Sequence, residues 1–154
     1  MRSVSAATRW TIALVVWVCV IWGHSLMPGD VSSGESSLLM TVVRPLFELF
    51  GCSDPNVMTF VIRKTAHFSE NAILAFIAVR MAVARWGVSR HAAAVAGAIW
   101  LLVPVIDETI QLFVPKRAGM ATDVLIDLSG GLLGMLVGFM VVRAREKRRL
   151  AREQ

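Results

Sequence analysis

Long apolar stretches alternate with short polar connections along this chain. Trp10–Met27 contains no Asp, Glu, Lys or Arg, and further apolar stretches run over about Thr65–Ala84, Ala92–Val114 and about Thr122–Val142. A helix needs roughly 17–25 mostly apolar residues to cross a bilayer. The pattern therefore predicts an all-α, polytopic membrane protein with a bundle of four transmembrane helices.

The four stretches divide the chain into three regions. Residues 1–9 form an N-terminal segment, residues 10–142 the membrane domain and residues 143–154 a basic tail. Arg2 and Arg9 precede the first stretch, as basic residues do in a secretory signal peptide. No Ala-x-Ala cleavage site follows, and the stretch is long enough to span a bilayer, so we expect it to remain as a helix.

The connection Pro28–Ile62 is too long for a simple turn. Its apolar residues recur at helical spacing and are Leu38, Leu39, Val42, Val43, Leu46, Phe47 and Phe50. This spacing predicts a short amphipathic helix on the membrane surface, kinked or restarted at Pro45. The alternative is a loop packed over the bundle. Asp54 is a suitable N-cap and Pro55 suits the first helical position, so the second long helix is predicted to begin there.

Composition agrees with a membrane protein. Hydrophobic residues make up 56% of the chain and charged residues 18%, whereas soluble domains contain about 45–50% and about 25%. Cys19 lies in an apolar stretch and Cys52 in a polar connection, so we expect no disulfide between them. Neither cysteine belongs to a zinc-binding pattern. No cofactor is predicted.

The basic residues indicate the orientation of the chain. Of the 16 Lys and Arg residues, 11 lie in the N-terminus, around the connection between the second and third stretches, and in the tail, and 5 lie on the other side. Cytoplasmic segments carry an excess of Lys and Arg. Both termini are therefore predicted to be cytoplasmic. Because the charges flank predicted spans, no nucleic-acid partner is expected.

The fourth stretch contains a stripe of glycines. Gly130, Gly134 and Gly138 recur at four-residue intervals, with Gly131 beside them. Such a stripe allows another helix to approach closely in lipid. We predict that these glycines pack inside the bundle, against small residues of the second and third spans. A homodimer seam is the alternative.

Ionisable and other polar residues gather at the outer ends of three spans. They are Arg63, Lys64, His67 and Glu70 at the start of the second span, Asp107, Glu108 and Gln111 at the end of the third, Arg117 in the next connection, and Asp123 and Asp127 at the start of the fourth. A charge inside a span costs about 2.5–3.5 kcal/mol on insertion scales and normally faces a protein interior or a wet cavity. The cluster is therefore either a clasp that joins the helices or a pocket for a polar or anionic headgroup.

We favour the pocket, because the charges are more numerous than a clasp in lipid needs. Pro104 supports it by bending the third helix just before Asp107 and Glu108. His67 and Glu108 are the candidates for acid–base chemistry, if the protein is an enzyme. A metal held by His67, Glu70, Asp107 and Asp127 has enough donors, but their spacing matches no metal motif, so no metal is predicted.

Two runs of residues carry a resemblance to a known family. They are Arg63-Lys64-Thr65-Ala66-His67-Phe68-Ser69-Glu70, and Asp107-Glu108-x-x-Gln111-x-Phe113 followed by Arg117, Asp123 and Gly130-Gly131-x-x-Gly134. The region Arg63–Gly138 resembles the VanZ-like family of small bacterial membrane proteins with about four spans. Asn71 stands where that family often has an aromatic residue and Asp127 where it often has Asn. The first changes the wall of the site, and the second adds a negative charge.

The resemblance implies a bacterial plasma membrane and a role in the cell envelope, with antibiotic (teicoplanin) resistance as the property of the founding member. It implies no reaction. The predicted function is recognition of an anionic envelope lipid or of the headgroup of a lipid-linked glycan precursor. Arg63, Lys64 and Arg117 would meet its phosphate or carboxylate, and the acids would orient these bases or carry protons. An intramembrane acid–base enzyme and a structural or assembly subunit are the alternatives.

Overall fold

The computed structural model describes residues 4–152, except for the side chains of residues 30–33 and 35–37. The described residues form five helices: α1 (Ala6–Ser25), α2 (Gly29–Leu49), α3 (Pro55–Trp86), α4 (Arg90–Gln111) and α5 (Ala121–Leu150). Helices α1, α3, α4 and α5 are long and apolar enough to span a membrane. The predicted all-α fold with four spans is confirmed. Arg2, which entered the charge count, lies outside the described residues.

Polar residues at the helix starts explain where the spans begin. The Asp54 carboxylate accepts a hydrogen bond of 2.8 Å from the Asn56 backbone N–H, and Pro55 follows at the first helical position, as predicted. Ser5 and Ser89 cap α1 and α4 in the same way. These caps satisfy backbone donors that a helix start leaves without an intrahelical partner. Gly87, with a φ of 66°, ends α3.

The ends of the helices differ from the predicted bounds, notably in α2, α4 and α5. Helix α4 ends at Gln111, three residues before the predicted end at Val114. Helix α5 continues to Leu150 and so includes most of the predicted tail, because Arg and Lys are good helix formers although they end the apolar stretch. Helix α2 is amphipathic, as predicted, but its 21 residues make it longer than the short helix expected, and Pro45 lies inside it. Among the side chains that the structure describes in α2, the exposed large apolar ones are Leu38, Leu39, Val42, Leu46 and Leu49.

Helix α3 is the centre of the bundle and packs most extensively against α5. The glycine stripe of α5 makes this contact close. A Cβ atom at Gly130 would lie 2.1 Å from the Phe68 carbonyl oxygen, and one at Gly134 would lie 1.9 Å from the Ala72 carbonyl oxygen. Gly138 lies against the side chain of Val79. The stripe thus faces α3 inside the bundle.

Tryptophan side chains tie neighbouring spans together. Trp17 of α1 donates a hydrogen bond of 2.9 Å to the Glu70 carbonyl oxygen of α3, and Trp100 of α4 donates one of 2.9 Å to the Leu128 carbonyl oxygen of α5. In an apolar surrounding such bonds hold helices at a fixed rotation. Trp100 also packs against Gly131, where a Cβ atom would lie 2.3 Å from its ring. We call the end of the bundle where α1 and α4 end and where α3 and α5 begin the site end. The packing of the tryptophans fixes which residues meet there.

Candidate functional site

Three helices bring polar residues together at the site end. Asp107, Glu108 and Gln111 lie in the last turns of α4, Asp127 in the second turn of α5, and His67 in α3. The three carboxylates are buried, and Asp127 is 0% exposed. We call these five residues the acid cluster. Since charges buried in a low dielectric are costly, their partners determine what the cluster can do.

Asp107 is held by two neutral partners. The Ser25 hydroxyl, from the end of α1, donates a hydrogen bond of 2.6 Å to Asp107 Oδ1, and the Gln111 amide donates one of 3.1 Å to Oδ2. The same amide nitrogen lies 3.2 Å from Ser25 Oγ and 3.4 Å from Glu108 Oε1. The network fixes the orientation of Asp107 without neutralising its charge.

His67 lies between the other two carboxylates. Its Nδ1 atom is 3.1 Å from Asp127 Oδ1 and 3.8 Å from Glu108 Oε1. The second oxygen of Glu108 accepts a hydrogen bond of 2.8 Å from the backbone N–H of Met120, in the connection between α4 and α5. Among the described residues, His67 is thus the base that pairs with the carboxylates of the acid cluster, and it faces two of them.

Several buried oxygens of this region have no hydrogen-bond partner among the described residues. They are Asp127 Oδ2, Gln111 Oε1 and Asn71 Oδ1. All three are acceptors, so the missing partners are donors or a cation. One ligand atom each from His67, Asp107, Glu108 and Asp127 lie within 4.8 Å of one another, which is a donor set that could hold a metal ion.

A groove of about 640 Å³ opens beside the acid cluster, between the starts of α3 and α5. Arg63 and Lys64 line it, and Lys64 also forms an ion pair with the buried Asp123. Arg63 is exposed and forms no ion pair with any described residue. The remaining lining residues are short polar or apolar: Asn56, Thr59, Phe60, Met120, Thr122 and Ile126.

Two further cavities follow the groove along the seam between α3 and α5, toward the middle of the bundle. A second cavity of about 340 Å³ shares Phe60, Lys64 and Ile126 with the groove and extends to Phe68. One turn further on, a third cavity of about 220 Å³ is lined only by apolar residues and Gly134. The seam therefore changes from cationic at the site end to apolar within the membrane-spanning region.

The predicted site residues separate into distinct groups. Arg63, Lys64 and Asp123 belong to the groove, whereas His67, Asp107, Glu108, Gln111 and Asp127 form the acid cluster. Arg117 donates hydrogen bonds to the backbone carbonyls of His24 (2.8 Å) and Met27 (3.2 Å), at the end of α1. Glu70 is half-buried, one turn after His67.

The described contacts of two of the predicted bases differ. Lys64 reaches one acid, Asp123, whereas the guanidinium of Arg117 binds the end of α1. Sequence reasoning also missed Ser25. An uncharged serine at the end of a span does not by itself indicate a functional residue. However, the first span and the third span end on the same side, so a contact between Ser25 and the acids at the end of α4 was compatible with the sequence.

The fold and the site define the class of this protein. It is a small multi-pass membrane protein whose four spans enclose buried carboxylates at one end, next to a groove lined by bases. The sequence model of the VanZ/LLP1 family matches residues 10–142. The chain belongs to this family, as its motifs predicted. No curated protein sequence and no solved structure matches the chain significantly.

Proposed function

We propose that this protein binds a lipid with a phosphate-bearing headgroup, such as a lipid-linked precursor of the cell envelope, from the outer leaflet. Arg63 and Lys64 bind the phosphate, and the hydrocarbon chain lies along the seam between α3 and α5. Through this binding the protein influences envelope assembly or susceptibility to glycopeptides such as teicoplanin.

The observation that carries the proposal is the order of the cavities along the seam, from the cationic groove to the cavity lined by apolar residues. A phosphate forms charge-assisted hydrogen bonds with guanidinium and ammonium groups. The exposed Arg63 has its guanidinium available, and the pair with Asp123 holds Lys64 at the same wall. Phe60, Phe68 and Ile126 then offer apolar surface directly below the bases. An amphiphile with an anionic end matches this order of surfaces.

Burial favours binding over acid–base catalysis by His67 and Glu108. The hydrogen bond between His67 and Asp127 would suit a proton relay. However, Asp127 is fully buried and Glu108 nearly so, whereas the groove is open. A bound headgroup would therefore meet the bases of the groove first.

Addition of a polyisoprenyl phosphate to the detergent-solubilised protein should raise its melting temperature, because a ligand that binds only the folded state stabilises it. Arg63→Gln should weaken this binding about tenfold or more, since hydrogen bonds to charged groups contribute about 1.5–3 kcal/mol. Arg143→Gln, which removes an exposed arginine of α5 far from the site end, is the matched control and should bind normally.

Two other additions identify what is recognised. Phosphatidylcholine should give no shift that depends on Arg63, and inorganic phosphate should give a much smaller shift than the lipid. An equal shift with inorganic phosphate would contradict a lipid site. Equal shifts in wild type and Arg63→Gln would contradict the groove as the binding site.

The proposed outer location of the groove gives a separate prediction. In a variant without Cys19 and Cys52, Ser53→Cys lies in the exposed connection before α3, and Val88→Cys lies in the exposed connection between α3 and α4. A membrane-impermeant maleimide should label position 53 in intact cells and position 88 only after permeabilisation, because the basic residues favour a cytoplasmic position for the latter. Labelling of position 88 alone in intact cells would reverse the orientation.

A further inference from the structure

We propose that the acid cluster is a binding site for one divalent transition-metal cation, of the type of Mn²⁺ or Zn²⁺, held by His67, Asp107, Glu108 and Asp127. The four residues come from α3, α4 and α5, so the ion would join three spans. This inference does not depend on the proposed lipid function, because it uses different side chains.

The distances within the cluster suit one ion. The four donor atoms lie within 4.8 Å of one another. Donors on opposite sides of a divalent cation lie about 4.0–5.2 Å apart, given metal–ligand distances of about 2.0–2.6 Å. A single central ion can therefore contact all four side chains after small movements of their ends.

The charges of the cluster favour a cation. Asp107, Glu108 and Asp127 are buried, and the ion pairs that the described part of the chain offers to them are those of His67 with Glu108 and Asp127. An uncompensated buried carboxylate costs several kcal/mol. A divalent ion would offset most of this negative charge within a few ångströms.

The oxygens without partners point to the same conclusion. Asp127 Oδ2, on a side chain that is 0% exposed, has no hydrogen-bond partner among the described residues, and neither has Oε1 of the buried Gln111. Both belong to side chains of the cluster. Gln111 cannot reverse its amide without placing an oxygen against the carboxylates that its nitrogen now contacts. A buried acceptor without a hydrogen-bond partner suits a bound cation better than a bound anion.

The neighbours of the donors orient them as outer partners do in metal sites. Ser25 and Gln111 hold Asp107, and the Met120 backbone N–H holds Glu108. Such partners fix the direction of metal ligands. An imidazole nitrogen among carboxylates favours Mn²⁺ or Zn²⁺ over Ca²⁺ and Mg²⁺, which prefer oxygen donors alone.

The test measures metal on the intact protein in detergent, without added lipid. After treatment with a chelator, the protein is dialysed separately against Mn²⁺, Zn²⁺, Ca²⁺ and Mg²⁺ and analysed by elemental mass spectrometry and thermal unfolding. We expect about one Mn²⁺ or Zn²⁺ per chain, with a rise in melting temperature. Absence of stoichiometric Mn²⁺ and Zn²⁺, or binding of Ca²⁺ or Mg²⁺ alone, would overturn the proposal.

Conservative variants locate the ion. Asp107→Asn and His67→Gln should each weaken Mn²⁺ binding by about tenfold or more, since even outer partners of metal ligands contribute 10–100-fold. Asp54→Asn removes a carboxylate from an exposed helix cap, where Asn caps equally well, and should bind Mn²⁺ like the wild type. Equal binding by Asp54→Asn, Asp107→Asn and His67→Gln would contradict the site. The wild-type measurement decides the matter even if a ligand variant does not fold.

Discussion

Gly134→Ala should lower the melting temperature of the protein in detergent by roughly 2–12 °C, the largest effect that we expect from a single methyl group. The added Cβ atom would lie 1.9 Å from the Ala72 carbonyl oxygen, which is backbone and cannot rotate away. Overpacking of this kind costs about 1–3 kcal/mol and occasionally more. Each kcal/mol corresponds to about 2–4 °C in a domain of this size.

Gly97→Ala is the matched control for this change. Gly97 also lies in a spanning helix, α4, but a Cβ atom there would meet nothing within 4 Å. Because alanine is the better helix former, this variant should be at least as stable as the wild type. Equal melting temperatures for Gly134→Ala and Gly97→Ala would contradict the close packing of α5 on α3 and favour a stripe that faces outward, as in a homodimer seam.

Lys64→Gln should also lower the melting temperature by roughly 10 °C, because it leaves Asp123 buried without its basic partner. Removing one member of a buried ion pair costs about 3–5 kcal/mol. The Lys64 side chain is 19% exposed, so the lower end of that range applies. The double variant Lys64→Gln with Asp123→Asn should recover most of the stability, since it leaves no uncompensated charge.

The exposed pair of Arg44 and Glu48 on α2 is the control for this second prediction. Arg44→Gln should change the melting temperature little, because exposed pairs contribute about 0.2–1 kcal/mol. A double variant that is no more stable than Lys64→Gln would contradict the assigned pairing. Although its stability recovers, the double variant should bind a polyisoprenyl phosphate less tightly than the wild type, because it lacks Lys64. This difference separates the structural role of Lys64 from its role in binding.

Hydropathy and helix-start signals predicted the fold well. The four spans appear as apolar stretches, and Asp54 with Pro55 marks the start of α3 ten residues before its apolar stretch begins. The end of α5 was not predicted, because hydropathy falls at Arg143 whereas helix propensity does not. The length of α2 was missed because its first half is polar.

The sequence also indicated that charged residues of three spans meet at one end, since the direction of each helix follows from the count of spans. It could not indicate the partners, because these depend on how each helix is rotated about its axis. The rotation is set by tertiary contacts such as that of Trp100 with Gly131 and with the Leu128 carbonyl oxygen. The predicted site therefore divides into a buried acid cluster and an open basic groove.

The central claim is that Arg63 and Lys64 hold the phosphate of a lipid at the mouth of the seam between α3 and α5. Native mass spectrometry of the protein purified from cells in mild detergent tests it most directly. The wild type and Arg143→Gln should retain a lipid that fragmentation identifies as phosphate-bearing, and its occupancy should fall about tenfold in Arg63→Gln. A wild-type protein without any retained phosphate-bearing lipid, or equal retention by Arg63→Gln, would contradict the claim.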